Sequence, residues 1–368
     1  MRVSLASLPL PLLALLAACS SMPGSQVRRP ASNDATSQVP ENARWSAHAN
    51  SFDVSKLQPD CRPIRLDPAP GVVPKSKVIL VHGFTACPQQ FYDWAQELTA
   101  HGHVVYLPLL PGHGRVAGED GKDDIESVPG RNNPNGYEEL AKTIVEIARG
   151  DSLPTAVGGL SVGGAVAFRA MSLEPSSFAK GIFFAPFFAI ANVDKSVAIP
   201  VAGTHRIPES TARWAAGLAG ATPIVQDTRS GWGPGCVEEL RGGRNGVCDY
   251  YLHQIKAAQD FGMRTVASAK PFQSPVQFVG VEADGAASNL HIGKLFRSLQ
   301  AGNPRGTRLC FYRKGANHSL FSRYDAPHED KFWVSSLVNS STRFVDEGEF
   351  FELDGRSTIE RTFFLCRI

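Results

Sequence analysis

Apolar residues fall into alternating strand-like and helix-like segments from about residue 78 onward. Val78-Ile79-Leu80-Val81 is an unbroken aliphatic run, the mark of a parallel strand buried on both faces. A polar turn with Thr85, Cys87 and Pro88 follows, then helix-like spacing over 89–100, then Val104-Val105-Tyr106-Leu107 stopped by Pro108. Residues 112–135 are loop-like, dense in Gly, Asp and Pro. Over 137–149 Leu140, Ile144, Val145, Ile147 and Ala148 line one helical face. A strand over 155–160, a helix over 164–172 and a strand over 180–184 continue the pattern. It resumes with a strand at 276–281, a helix at 289–301, a strand at 308–312 and a helix at 331–344. This alternation predicts the α/β class, with a doubly wound, mostly parallel sheet. Between 186 and 271 the rhythm breaks, although 250–269 is helix-like; an insertion of this size after a sheet strand reads as a lid. The expected organisation is a core of 51–185 and 272–368 interrupted by the lid insertion 186–271.

The first fifty residues read differently. Leu5 to Ala18 is apolar but broken by Pro9 and Pro11, too short and interrupted for a spanning helix, so 1–18 is expected to be a cleaved secretory signal. Leu16-Ala17-Ala18-Cys19 resembles a bacterial lipoprotein signal box. The resemblance implies cleavage before Cys19, a lipid such as palmitate at that cysteine and, with Ser20 following it, delivery to the outer membrane. Residues 24–44 are rich in Ser, Pro, Asn, Gln and Ala and offer little apolar surface to bury; 19–50 is expected to be a flexible tether.

Charge and cysteines narrow the partners. Across 368 residues, 37 Lys and Arg face 35 Asp and Glu, a formal balance of +2 that speaks against a nucleic-acid partner. Six cysteines remain besides Cys19: Cys61, Cys87, Cys236, Cys248, Cys310 and Cys366. An even number in an exported chain favours disulfides, and with no Cys-x-x-Cys or Cys/His cluster neither a metal nor a cofactor is expected. Of fifteen possible pairings, neighbours in sequence are preferred: 61 with 87, 236 with 248 and 310 with 366. Asp120, Asp123, Asp124 and Glu126 read as a solvated acidic loop.

The chemistry centres on Gly159-Leu160-Ser161-Val162-Gly163, set between a strand and a helix. A serine on so tight a turn needs small neighbours and projects its hydroxyl above the sheet, beside the helix N-terminal amides. His82-Gly83-Phe84 closes the 78–81 strand, and the backbone N–H groups of Phe84 and Val162 are assigned as oxyanion donors, each worth roughly 3–4 kcal/mol of barrier in such sites. His82 itself reads as structural. Asp284 follows the 276–281 strand and is the favoured acid, with Glu282 two residues earlier as rival and Asp260 and Asp325 behind. His318, in Gly315-Ala316-Asn317-His318-Ser319, follows the last strand and is the favoured general base; His113, His291 and His328 compete on residue type.

The order Ser161, Asp284, His318 resembles that of the serine α/β-hydrolases of the monoacylglycerol-lipase and carboxylesterase type. The matching pieces are Val-His-Gly-Phe-Thr at 81–85, Leu-Pro-Gly-His-Gly at 110–114, Gly-Leu-Ser-Val-Gly at 159–163, Glu-Ala-Asp at 282–284 and Asn-His-Ser at 317–319. The resemblance implies the α/β-hydrolase fold and hydrolysis of carboxylic esters, acyl lipids or small esters, through an acyl-serine. A thioesterase with the same triad, a peptidase of the same fold and an inactive envelope-displayed binding protein are the rival readings. Relatives often keep a hydrophobic residue or a serine near position 87. This chain departs from that pattern with Cys87 in the oxyanion loop, and a Cys61–Cys87 pairing would pin that loop and preorganise the Phe84 donor.

Overall fold

The computed structural model describes residues 42–116, 124–191, 224–225, 249–250, 252–282, 284–312, 316, 318–321, 333–351 and 364–367. Cys19, Cys236 and Cys248 lie outside them, as do the signal and the tether up to residue 41.

An eight-stranded sheet organises the chain. Its strands are β1 (Ile64–Leu66), β2 (Ser76–Val81), β3 (His103–Leu107), β4 (Thr155–Leu160), β5 (Lys180–Phe184), β8 (Val276–Val281), β9 (Thr307–Tyr312) and β10 (Phe364–Arg367), in spatial order β1-β3-β2-β4-β5-β8-β9-β10. A separate two-stranded ladder joins β6 (Ile224–Val225) to β7 (Asp249–Tyr250). The inner pairings are parallel, while β1 on β3 and β10 on β9 run antiparallel, so both edges are closed by short antiparallel strands.

Side-chain alternation explains the two helical layers. Along β2, Ile79 and Val81 face one core and Val78 and Leu80 the other; Phe183 and Ile182 divide β5 in the same way. The first core is covered by α1 (Ala43–Asn50), α3 (Gly136–Arg149), α4 (Val162–Leu173), α5 (Leu252–Ala267) and α6 (Asn289–Gly302), and the second by α2 (Tyr92–Ala100) and α7 (Trp333–Glu347). Apolar residues on both faces of a strand require cover on both sides, which is the doubly wound arrangement.

Two expected boundaries move. The tether was expected to run to residue 50, yet residues 43–50 form α1, started by Asn42, whose side chain accepts the Trp45 N–H. Trp45 is buried and its ring sits 5.0 Å from that of Tyr106 in β3. The lid was expected over 186–271. Phe187, Phe188 and Ile190 at its start, and Ile255, Ala258 and Phe261 of α5 at its end, belong instead to the first core. Helix α5 packs along α4, so any insertion lies between residues 191 and 252.

Among the described residues two disulfides are present, Cys61–Cys87 and Cys310–Cys366. The second joins directly opposed residues of β9 and β10. No helix of the described residues is long and apolar enough to cross a membrane.

Candidate active site

Ser161 occupies the single position between β4 and α4. Its backbone has φ 56° and ψ −123°, in left-handed territory that a side chain enters only at a cost of about 1–3 kcal/mol. Three hydrogen bonds hold it there: its N–H donates to Phe184 O (2.9 Å), and its carbonyl accepts from Ala165 (3.0 Å) and Phe187 (2.8 Å). The flanking glycines are steric necessities. A Cβ on Gly163 would sit 2.1 Å from His82 O, because α4 starts directly against the end of β2, and one on Gly159 would sit 2.5 Å from Gly163 O. The motif is thus the sequence trace of a close strand–helix crossing.

Asp284 and His318 meet. The Asp284 Oδ2 lies 2.8 Å from His318 Nδ1, and the carboxylate side chain is fully buried. Its other oxygen accepts the N–H groups of Ala286 (2.7 Å) and Ala287 (2.9 Å). With Oδ1 so occupied, the carboxylate is fixed in orientation and ready to accept Nδ1–H, which leaves Nε2 as the basic nitrogen. Glu282 is exposed at the end of β8, so the choice between the two acids falls to Asp284 as the partner of His318. Asp260 pairs with Lys256 on α5, and His291 hydrogen-bonds Ser288. Asp325 and His328 lie outside the described residues.

The loop after β2 supplies the third component. His82 is fully buried, and burial, with His113 beside it, holds its imidazole well below the ordinary value. Its Nδ1 lies 2.9 Å from Gly83 O while Nε2 accepts the Leu110 N–H at 3.0 Å, the bonding of a neutral structural histidine. His113 is buried too, its pKa lowered to about 4 by that burial, and its ring stands edge-on to His82 and Phe84. Phe84 is half-buried and packs on the small apolar cluster of Ile125 and Val128. Val162 is the first residue of α4, where a helical amide has no acceptor within its own helix. Asp124 is taken by Arg115, and Glu126 accepts from Asn132; Asp120 and Asp123 lie outside the described residues. Among the described residues no group of three His, Cys, Asp or Glu side chains is placed to hold a metal.

Two contributions escape the sequence. Gln90 accepts the Gly83 N–H at 2.8 Å, and the Ala286 and Ala287 amides orient Asp284. Gln90 stands in the polar turn Pro88-Gln89-Gln90-Phe91 with nothing local to single it out; a small-residue turn after an acid hints at the second.

Residues 73–222 match the family model described as serine aminopeptidase, S33. No curated protein sequence matches the chain. Among solved structures, a monoacylglycerol lipase of Paleococcus ferrophilus shares 17% identity over 77% of this chain and 98% of its own, with a TM-score of 0.53. A soluble variant of monoglyceride lipase from Saccharomyces cerevisiae gives 15%, 78%, 91% and 0.54. A thermostable carboxyl esterase from Bacillus coagulans gives 15%, 77%, 93% and 0.53. At these identities the likeness is one of fold.

Proposed function

We propose that this chain, an α/β-hydrolase-superfamily protein, is a serine hydrolase that cleaves carboxylic esters through an acyl-Ser161 intermediate. The reading rests above all on the buried Asp284 bonded to the partly exposed His318, at the same C-terminal end of the sheet as a serine held in a left-handed turn. Ser161 Oγ attacks the ester carbonyl while His318 Nε2 takes its proton, and Asp284 stabilises the imidazolium so formed. The backbone amides of Phe84 and Val162 receive the oxyanion. His318 then returns the proton to the departing alcohol. Water, deprotonated by the same nitrogen, attacks the acyl-serine, which releases the carboxylic acid and restores Ser161.

The chemistry is common to oxygen esters and thioesters, and the phenylalanines beyond β5, Phe187 and Phe188, are packed into the first core rather than open to an acyl chain. The lipoprotein-like Cys19 suggests an enzyme held at the bacterial envelope, in the outer membrane, with 19–41 as its tether and the segment between residues 191 and 252 as its lid. Metabolic labelling with a palmitate analogue, lost in Cys19→Ser, tests the anchor.

A fluorophosphonate probe tests the chemistry: labelling of the wild type and none of folded Ser161→Ala is expected, and equal labelling of both sinks the reading. Turnover of p-nitrophenyl esters from acetyl to palmitoyl, beside an acyl thioester and an aminoacyl p-nitroanilide, separates the ester reading from thioesterase and peptidase.

A further inference from the structure

The oxyanion loop is held by a side chain that lies outside the triad, Gln90. Between Gly83 and Cys87 the chain makes a tight turn: Ala86 N–H donates to Gly83 O (3.2 Å), and Thr85 sits at φ 66°. A β-branched residue there is strained, so the turn relaxes unless it is held at both ends. Gln90, only 6% exposed, supplies one hold by accepting the Gly83 N–H. That bond fixes the His82–Gly83 peptide; the next peptide, which carries the Phe84 N–H, is held in turn through its own carbonyl, Gly83 O, by the Ala86 N–H and by His82 Nδ1 at 2.9 Å. A Cβ on Gly83 would stand 3.4 Å from Gln90 Oε1 and 3.5 Å from Ser161 Cβ, so the fixed peptide lies beside the serine.

Gln90 is itself anchored. It lies in the 3-10 turn Pro88–Phe91, and its backbone N–H donates to Cys87 O (2.9 Å). Cys87 is bonded to Cys61, and the segment carrying Cys61 is tied to the loop after β3: Gln58 N–H donates to Gly114 O (2.8 Å) and its side-chain amide to Arg115 O (2.8 Å). Gly114, at φ 68°, has no room for a Cβ, which would lie 2.4 Å from Cys61 Cβ. Disulfide, turn and glutamine form one continuous brace from the 109–116 loop to Gly83.

We propose that Gln90 is a positioning residue for the oxyanion hole: through Gly83 it aims the Phe84 N–H, and the Cys61–Cys87 bond holds the turn that carries it. This rests on the serine-hydrolase reading. An oxyanion donor acts only on the tetrahedral species, so its misalignment lowers kcat and spares substrate binding.

The test is Gln90→Met, similar in length but without the amide acceptor. Expected are a kcat on p-nitrophenyl butyrate lower by about 10–100-fold, a KM within threefold, and a loss of the same size in affinity for an alkylboronic acid, which forms a tetrahedral adduct on serine. Affinity for butyrate, which forms none, stays unchanged. Wild-type kcat and boronate affinity overturn the role, as does equal weakening of boronate and butyrate. Should the variant fold poorly, amide hydrogen exchange of wild-type Gly83 by NMR decides: slow exchange is expected, and exchange as fast as an open loop overturns the proposal. Ser161→Ala keeps the two failures apart. If it abolishes probe labelling while Gln90→Met is normal, only Gln90 loses its role; if labelling does not depend on Ser161, the underlying reading falls.

Discussion

At the scale of single residues, the site is built from groups whose freedom has been removed. Asp284 has both oxygens engaged, one by two amides and one by His318. Asp284→Asn keeps the shape but turns a donor toward Nδ1 and favours the wrong tautomer. A fall in kcat of roughly 10³–10⁴ with little change in KM is expected, read by steady-state kinetics on a short p-nitrophenyl ester; a loss below tenfold would contradict the assignment. His113 makes a stability prediction. Its folded pKa of about 4 lies below the value of about 6.5 that it regains on unfolding. Between those two pH values the unfolded chain binds the extra proton, so stability falls as pH is lowered through the window, by about 2 kcal/mol at pH 5. Urea melts at pH 7.5 and pH 5 should show that loss reduced by a similar amount in His113→Gln, and parallel losses in both proteins would refute it. His82, lowered for the same reason, works in the same direction.

At the scale of elements, legibility followed length and burial. The strands of the parallel interior announced themselves as aliphatic runs, because burial on both faces removes polar alternation. The edge strands β1 and β10 did not: Ile64-Arg65-Leu66 and Phe364-Leu365-Cys366-Arg367 are short, and they exist only by pairing with β3 and β9. Helix α1 leaves no mark in the sequence pattern, because Ala43–Asn50 offers one large apolar residue and no stripe. What fixes it is tertiary. Trp45 packs on Tyr106, and the Asn42 amide donates to Ile147 O and Asp151, beside the fully buried Lys77 that the same aspartate neutralises. Trp45→Ala is expected to cost about 3–5 kcal/mol, lowering Tm by roughly 6–15 °C, and a chain begun at Ser51 should lose at least as much. Thermal melts measure both, and an unchanged Tm would mean that α1 is dispensable.

For the whole molecule, the flanks of the insertion belong to the core. Phe187, Phe188 and Ile190 on one side, and α5 on the other, are buried among the residues that cover the sheet. Replacing 195–246 by a flexible Gly-Ser linker should therefore leave a cooperatively folding protein while shifting the acyl-chain optimum measured across p-nitrophenyl esters. Loss of cooperative melting would place the segment in the core, and an unchanged optimum would deny it a role over the site. The sequence by itself determined the succession of strands and helices, the serine turn and the short menu of acids and histidines, since periodicity, glycine placement and chain order are properties of near neighbours. Only the tertiary structure decided that Asp284 rather than Glu282 meets His318, that Gln90 reaches back to Gly83, and that Trp45 belongs to the core. Those encounters depend on which strands lie side by side and where each one ends, and residues distant along the chain carry no local mark of the neighbours that folding gives them.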